Sequence, residues 1–181
     1  LKIGLSQRIL FYNGRAYDSI EHGWYSYLKE HTLYFIPNNL NQDFESIATD
    51  LDMLIITGGD DSPLRRNTEV KLAVQMMQRF KPVIGICHGA FMLADLLGSV
   101  IENITGHHGT EHAVRYHTED RMVNSYHSLA IKRLHKSATS LAVDSEGNCE
   151  AWIDQKLAGI VWHPERMTSP WIPNEIENLF K

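Results

Sequence analysis

GICHGAFMLADLLG, residues 85–98, follows directly on Lys81-Pro82-Val83-Ile84. An apolar run of the kind that makes a buried strand ends at Cys87, and a helical pattern starts at once, closed by Gly98 as a C-terminal stop. Glycine stands two residues before and two residues after the cysteine. A sharp strand-to-helix turn strains the residue at its apex and crowds its neighbours, so small residues at those flanking positions are what such a corner demands. A thiol placed there can be a core residue, a metal ligand or a nucleophile. The surrounding chain has to discriminate.

Working outward, short apolar runs alternate with amphipathic stretches through the first half. Ile3–Leu5, Leu33–Ile36, Leu51–Thr57 and Pro82–Ile86 read as strands. Asp18–His31, with Ile20, Trp24, Tyr27 and Leu28 on one face, reads as a helix, as does Phe44–Asp50. Another helix is expected after Asn67 as N-cap, with Val70, Leu72, Ala73, Met76, Met77 and Phe80 as its apolar stripe, and a fourth over Ala90–Leu97. Nearly continuous apolar strands separated by helices predict a parallel sheet covered on both faces, doubly wound, with the ligand site beyond the carboxyl ends of the strands. From about Ser99 the pattern is more polar. Met122–Tyr126, Ser140–Val143, Cys149–Ile153 and Leu157–Trp162 are expected as shorter, antiparallel additions. The expectation is an α/β chain forming one domain over residues 1–181, with a mostly parallel sheet.

The chain has 181 residues, 43% of them hydrophobic, enough for one sizeable α/β core. Net charge is −5 and no basic block interleaves with aromatics, which argues against nucleic acid as a partner. Apolar stretches such as Met53–Ile56 fall far short of the roughly 20 residues that cross a bilayer. LKIGLSQRIL lacks the charged start and apolar run of a signal peptide, so a cytoplasmic location without membrane attachment is expected. Two cysteines, Cys87 and Cys149, do not make a disulfide scaffold.

At the apex, Cys87 would lie at the N-terminus of the following helix, where the dipole and free N–H groups favour thiolate. The His88 N–H becomes available to an oxyanion. Gly58-Gly59-Asp60-Asp61 closes the neighbouring strand, and a glycine N–H there can approach as a second donor. A thiolate needs a base. His163 is delivered by the apolar run Gly159–Trp162 and stopped by Pro164, and Glu165 can turn back onto its imidazole. Taken singly, each feature also fits a packed thiol or a surface turn.

The combination TGGDD, GICHG and VWHPE resembles the class I glutamine amidotransferase-like superfamily, most closely its γ-glutamyl hydrolase branch, which includes γ-glutamyl-γ-aminobutyrate hydrolases. That resemblance implies a three-layer, flavodoxin-like fold in which Cys87 is nucleophile, His163 general base and acid, and Glu165 its orienting partner. It gives Gly59 and His88 the oxyanion N–H groups, and Asn124, Ser125, Tyr126 and His127, with Gly58, a place around the γ-glutamyl group. Two positions depart from the family pattern. Phe91 stands where a substrate-holding glutamine is common, and Ser128 replaces the second histidine of a usual pair. The implied reaction is hydrolysis of a γ-glutamyl amide through a Cys87 thioester, without cofactor. The substrate is a small γ-glutamyl molecule. The leaving amine is left open between a γ-aminobutyrate-like group and a nucleotide-linked one, since relatives of this type hydrolyse γ-glutamyl-CDP-amidate in capsule biogenesis. A glutaminase subunit feeding ammonia to a synthetase is the alternative, and a homodimer stays open.

His107-His108-Gly109-Thr110-Glu111-His112 concentrates possible metal ligands, but the glycine breaks any regular metal-binding helix and the H-E-x-x-H pattern is absent. No metal is expected, and the segment reads as a loop at the mouth of the site. Arg65-Arg66 reads as a solvated pair that could meet an anionic substrate. Arg8, Tyr12 and Arg15 fall in a loop after the first strand. Cys149 reads as inert, and Trp152, Trp162 and Trp171 as packing residues.

Overall fold

A computed structural model describes residues 1–181. Its parallel layer is built from β1 (Lys2–Ser6), β4 (Thr32–Ile36), β5 (Met53–Ile56), β6 (Val83–Ile86) and β13 (Leu157–Ile160), side by side in the order β4-β1-β5-β6-β13. The pairings β1–β4, β1–β5, β5–β6 and β6–β13 are all parallel. β5, β6 and β13 are buried at every position, which is why they carry no hydrophilic alternation. Helices α2 (Phe44–Asp50), α3 (Pro63–Gln78) and α4 (His88–Leu97) supply the crossovers, and α1 (Gly23–Tyr27) and α5 (Asn174–Glu177) are short. Two apolar clusters result, one holding Leu54, Ile56 and Leu93 and the other Ile3, Ile55 and Trp162. No helix is long and apolar enough to cross a membrane.

Beyond β13 the sheet turns antiparallel through β12 (Cys149–Asp154), β11 (Thr139–Val143), β8 (His108–Tyr116) and β9 (Glu119–Tyr126). β10 (Leu129–Arg133) joins β12 and β7 (Val100–Asn103) at the side, for eleven strands in all. A parallel core with antiparallel additions is thus the architecture the sequence pattern predicts, with one strand reassigned: Leu157–Trp162, expected among the antiparallel additions, supplies β13 and pairs parallel with β6.

Three local expectations are corrected. The segment after β1 is no loop followed by a long helix. It is a hairpin of β2 (Arg8–Tyr12) and β3 (Arg15–Ser19), turned by Asn13 and Gly14 with φ of 50° and 69°, and only Gly23–Tyr27 is α-helical. Both turn residues adopt the positive φ of a two-residue I′ turn, for which Asn-Gly is the preferred pair. Helix α3 starts before Asn67: Ser62 is the N-cap, its side chain accepting from the Arg65 N–H, and Pro63 takes the first turn, where a missing N–H costs nothing. Helix α4 begins at His88 directly after Cys87 and ends in the left-handed Gly98, φ 92°.

Candidate active site

Cys87 sits between β6 and α4 with φ 50° and ψ −105°. Such backbone costs on the order of 1–3 kcal/mol for a residue other than glycine, so the surroundings must enforce it. They do. A Cβ on Gly85 would fall 2.3 Å from the backbone of Gly89, and one on Gly89 would fall 2.2 Å from the Ile56 carbonyl oxygen. Strand, turn and helix therefore interlock only with glycine at both positions. The Cys87 N–H is tied to the Ile160 carbonyl at 2.8 Å, which fixes the corner to β13. His88 opens α4, so its N–H has no intrahelical acceptor. The Gly59 N–H donates to no backbone carbonyl, and Gly59 holds φ 118°.

His163 follows the end of β13 and is 2% exposed. Its Nδ1 lies 2.7 Å from Glu165 Oε1, a contact in which the carboxylate accepts, so the second ring nitrogen is left free. Asn124 on β9 grips the backbone of His163 from the other side: Nδ2 donates to the carbonyl and Oδ1 accepts from the N–H, both at 2.8 Å. Tyr126 packs edge-on against the imidazole at 5.5 Å between centroids. Gly58 completes the enclosure, since a Cβ there would meet His163 Cε1 at 2.4 Å. Burial of the imidazole favours its neutral form, but interactions with Cys87 and Glu165 outweigh burial and push its pKa up to about 9. Behind Glu165, Arg166 forms a two-pronged pair with Glu21 at 2.9 and 2.7 Å and lies over the Tyr126 ring.

Cys87 and His163 open on one cavity of about 620 Å³, which Gly59, His88, Phe91, Tyr126 and His127 also line. Of the residues expected around the substrate, Tyr126, His127 and Phe91 therefore reach it. Asn124 and Ser125 do not. Asn124 is spent on His163, and the Ser125 hydroxyl donates to the His107 carbonyl. Gly58 backs His163 rather than facing the cavity. The solvated reading of Arg65 is also corrected: it is 0% exposed, donating to Glu69 at 2.8 Å and to the Thr57 carbonyl at 2.6 Å. Glu69 in turn accepts from Ser6 at 2.7 Å and from His88 Nε2 at 2.9 Å, a buried network the sequence reading missed. The i, i+4 spacing of Arg65 and Glu69 was its signal. Arg66 and Arg8 do line the cavity, as do Ser128 and Arg166. Cys149 is a buried free thiol, and burial pushes its pKa up to about 11.

A thiol on a forced turn at a helix start, an imidazole held by a carboxylate and two unclaimed N–H groups can together attack a carbonyl and hold the resulting oxyanion. The chain is similar in sequence and in fold to known proteins. The family model for glutamine amidotransferase class-I matches residues 15–181. A γ-glutamyl-CDP-amidate hydrolase of Campylobacter jejuni is 30% identical over 142 residues, covering 72% of this chain and 70% of that protein. Anthranilate synthase component 2 of Thermococcus kodakarensis is 23% identical over 157 residues, 81% of each chain. Among solved structures, a protein described as a GMP synthase subunit from Thermoplasma acidophilum superposes with a TM-score of 0.74 at 19% identity, covering 99% of this chain and 92% of the other. A glutamine amidotransferase from Thermotoga maritima gives 0.71 at 14% identity, covering 99% and 80%.

Proposed function

The chain belongs to the class-I glutamine amidotransferase family, and from that premise we propose that it hydrolyses a γ-glutamyl amide through a thioester on Cys87. The observation that carries the reading is the strained Cys87 at the head of α4, opening on the same cavity as a His163 that Glu165 holds. His163 takes the thiol proton, and the sulfur adds to the γ-carbonyl carbon. The oxyanion is received by the N–H groups of His88 and Gly59. As the C–N bond breaks, the imidazolium returns the proton to the leaving amine. Water, deprotonated by the same imidazole, then cleaves the thioester and releases glutamate.

For the leaving group we favour a nucleotide-linked amine. Support comes from the relative named for γ-glutamyl-CDP-amidate and from Arg8, Arg66, Arg166 and His108 around the cavity, where a phosphate would compete with Glu21, Asp61 and Asp95 for the arginines. Phe91 offers an apolar face where a glutamine would offer hydrogen bonds, which alters how the glutamate moiety is held. Glutamate release should be measured over a panel of γ-glutamyl amines, free glutamine and γ-glutamyl-CDP-amidate. We expect the nucleotide conjugate to lead the panel, Cys87→Ala to lose activity at least about a thousandfold, and an acid quench to trap one γ-glutamyl group on Cys87. Full activity in Cys87→Ala would sink the mechanism.

A second reading, an ammonia-supplying glutaminase subunit, is favoured by the likeness to anthranilate synthase component 2 and to the small chain of a Rhizobium meliloti carbamoyl phosphate synthase, 28% identical over 135 residues. Glutamine turnover that appears only with a synthetase partner present would favour it over the hydrolase.

A further inference from the structure

The cavity wall has a second layer that the proposed chemistry leaves unused. Nine buried side-chain nitrogen or oxygen atoms in the protein have no hydrogen-bond partner, and five of them belong to one group: His107 Nδ1, His112 Nδ1 and Nε2, His127 Nε2 and Glu150 Oε2. One ligand-capable atom from each of these four residues lies within 4.8 Å of all the others. Unpaired buried polar atoms are rare, and a carboxylate only 1% exposed with an unpaired oxygen needs a compensating cation.

Three strands converge to make the group. His107 and His112 are five residues apart and would point to opposite faces of a regular strand. The β8–β9 register shifts between His108 and Thr110, where Gly109 takes φ 71°. That extra residue restores parity and brings the two rings to 4.8 Å between centroids. Glycine here is therefore the bulge that gathers the histidines, where the sequence alone suggested an obstacle. His127, just past β9, sets its ring 5.0 Å from His107, and Glu150 rises from β12.

The orientation of the donors is informative. His127 Nδ1 sits 2.7 Å from the Leu129 carbonyl, which can only accept, so the proton is on Nδ1 and the Nε2 lone pair faces the group. Metal-bound imidazoles are characteristically held by such a bond from the other ring nitrogen. Glu150 Oε2 lies 3.5 Å from His112 Nε2 and Oε1 lies 3.7 Å from His127 Nε2. Those spacings are long for hydrogen bonds. They are close to the roughly 3.3–3.5 Å edges of a tetrahedron with metal–ligand distances of about 2.0–2.2 Å.

We propose that His107, His112, His127 and Glu150 bind one divalent metal ion of the zinc class, which staples the β8–β9 hairpin to β12 beside the active cavity. Three imidazole nitrogens and one carboxylate oxygen, with no thiolate, suit zinc better than calcium or magnesium, which prefer all-oxygen sites. Four protein ligands close a tetrahedral shell, so the ion holds structure and activates no water. What it holds matters to the reaction: β9 carries Asn124, which fixes His163, and His127 lines the cavity itself.

The test uses the full chain, incubated with zinc sulfate, freed of loose metal by gel filtration and assayed by plasma mass spectrometry. We expect about one zinc per chain, melting that falls with a strong chelator and recovers with zinc, and binding at least about a hundredfold weaker in His107→Ala/His112→Ala, a larger loss than removing an outer-shell partner. Cys87→Ser should retain the metal. Should the double variant not fold, the cobalt-loaded wild type decides, with tetrahedral d–d bands and no thiolate charge-transfer band expected. Less than about a tenth of an equivalent on the wild type, full retention by a folded double variant, loss of the ion in Cys87→Ser, or thiolate charge transfer would each overturn the proposal. An imidazolium–carboxylate cluster would give the first of these.

Discussion

Cys87 and Cys149 are both buried thiols, and the chain around each gives it different surroundings. Cys87 faces the cavity beside His163 at a helix start, whereas Cys149 lies among apolar neighbours with its pKa pushed up to about 11. One equivalent of iodoacetamide at neutral pH should therefore label Cys87 and leave Cys149 free, as peptide mass mapping would show. Labelling of Cys149 first would contradict the assignment. His163 offers a second check at this scale. Its pKa is raised from 6.5 to about 9, so the stabilisation from its partners is complete below pH 6.5 and lost as pH rises through about 9. Cys87 is the larger cause of that rise and Glu165 the next, so Glu165→Gln removes part of it. The stability gap between wild type and Glu165→Gln, read from urea midpoints, should be widest below pH 6.5 and close above pH 9. The alkaline limb of the activity profile should move to lower pH in the variant. A gap that widened with pH would reverse the sign and sink the account.

Helix α3 shows what an element contributes beyond a crossover. Its Arg65 and Glu69 are 0% and 2% exposed, and between them they bind Ser6 on β1, the Thr57 carbonyl after β5 and His88 at the head of α4. Glu69→Ala leaves the Arg65 guanidinium buried without its carboxylate, so a loss of about 3–5 kcal/mol is expected in urea denaturation. Loss below about 1 kcal/mol would mean that the network is dispensable. At this scale the sequence was legible where one face or one run decides the element: β5, β6, α2 and the corner at Cys87 all follow from short local patterns. It was misleading at Asp18–His31, where Ile20, Trp24, Tyr27 and Leu28 mimic a helical face, although Asn13-Gly14 carried the hairpin signal just upstream. Ser62-Pro63 likewise marked the true start of α3. The Glu150 partner of the histidine group was out of reach of any local window, because only the pairing of β8, β9, β11 and β12 brings it there.

Across the whole molecule the candidate site straddles a seam. The parallel half supplies Gly59, Cys87 and His88 from the carboxyl ends of β5 and β6, and the antiparallel half supplies Asn124, Tyr126 and His127. His163 lies where they meet, tied to β9 by two Asn124 hydrogen bonds and to Glu165 by a third. The antiparallel additions are thus part of how the imidazole is aimed, and Asn124 is a positioning residue that does not itself line the cavity. Asn124→Ala leaves the His163 N–H and carbonyl unpaired inside the protein, at about 1–3 kcal/mol for each group. It also frees the imidazole to drift, and a displacement of about 1 Å can lower turnover roughly a hundredfold. The expected signature is a fall in kcat with KM little changed, because the substrate surface keeps its residues. A variant with KM raised and kcat intact would instead put Asn124 against the substrate, and the seam would lose its role in catalysis.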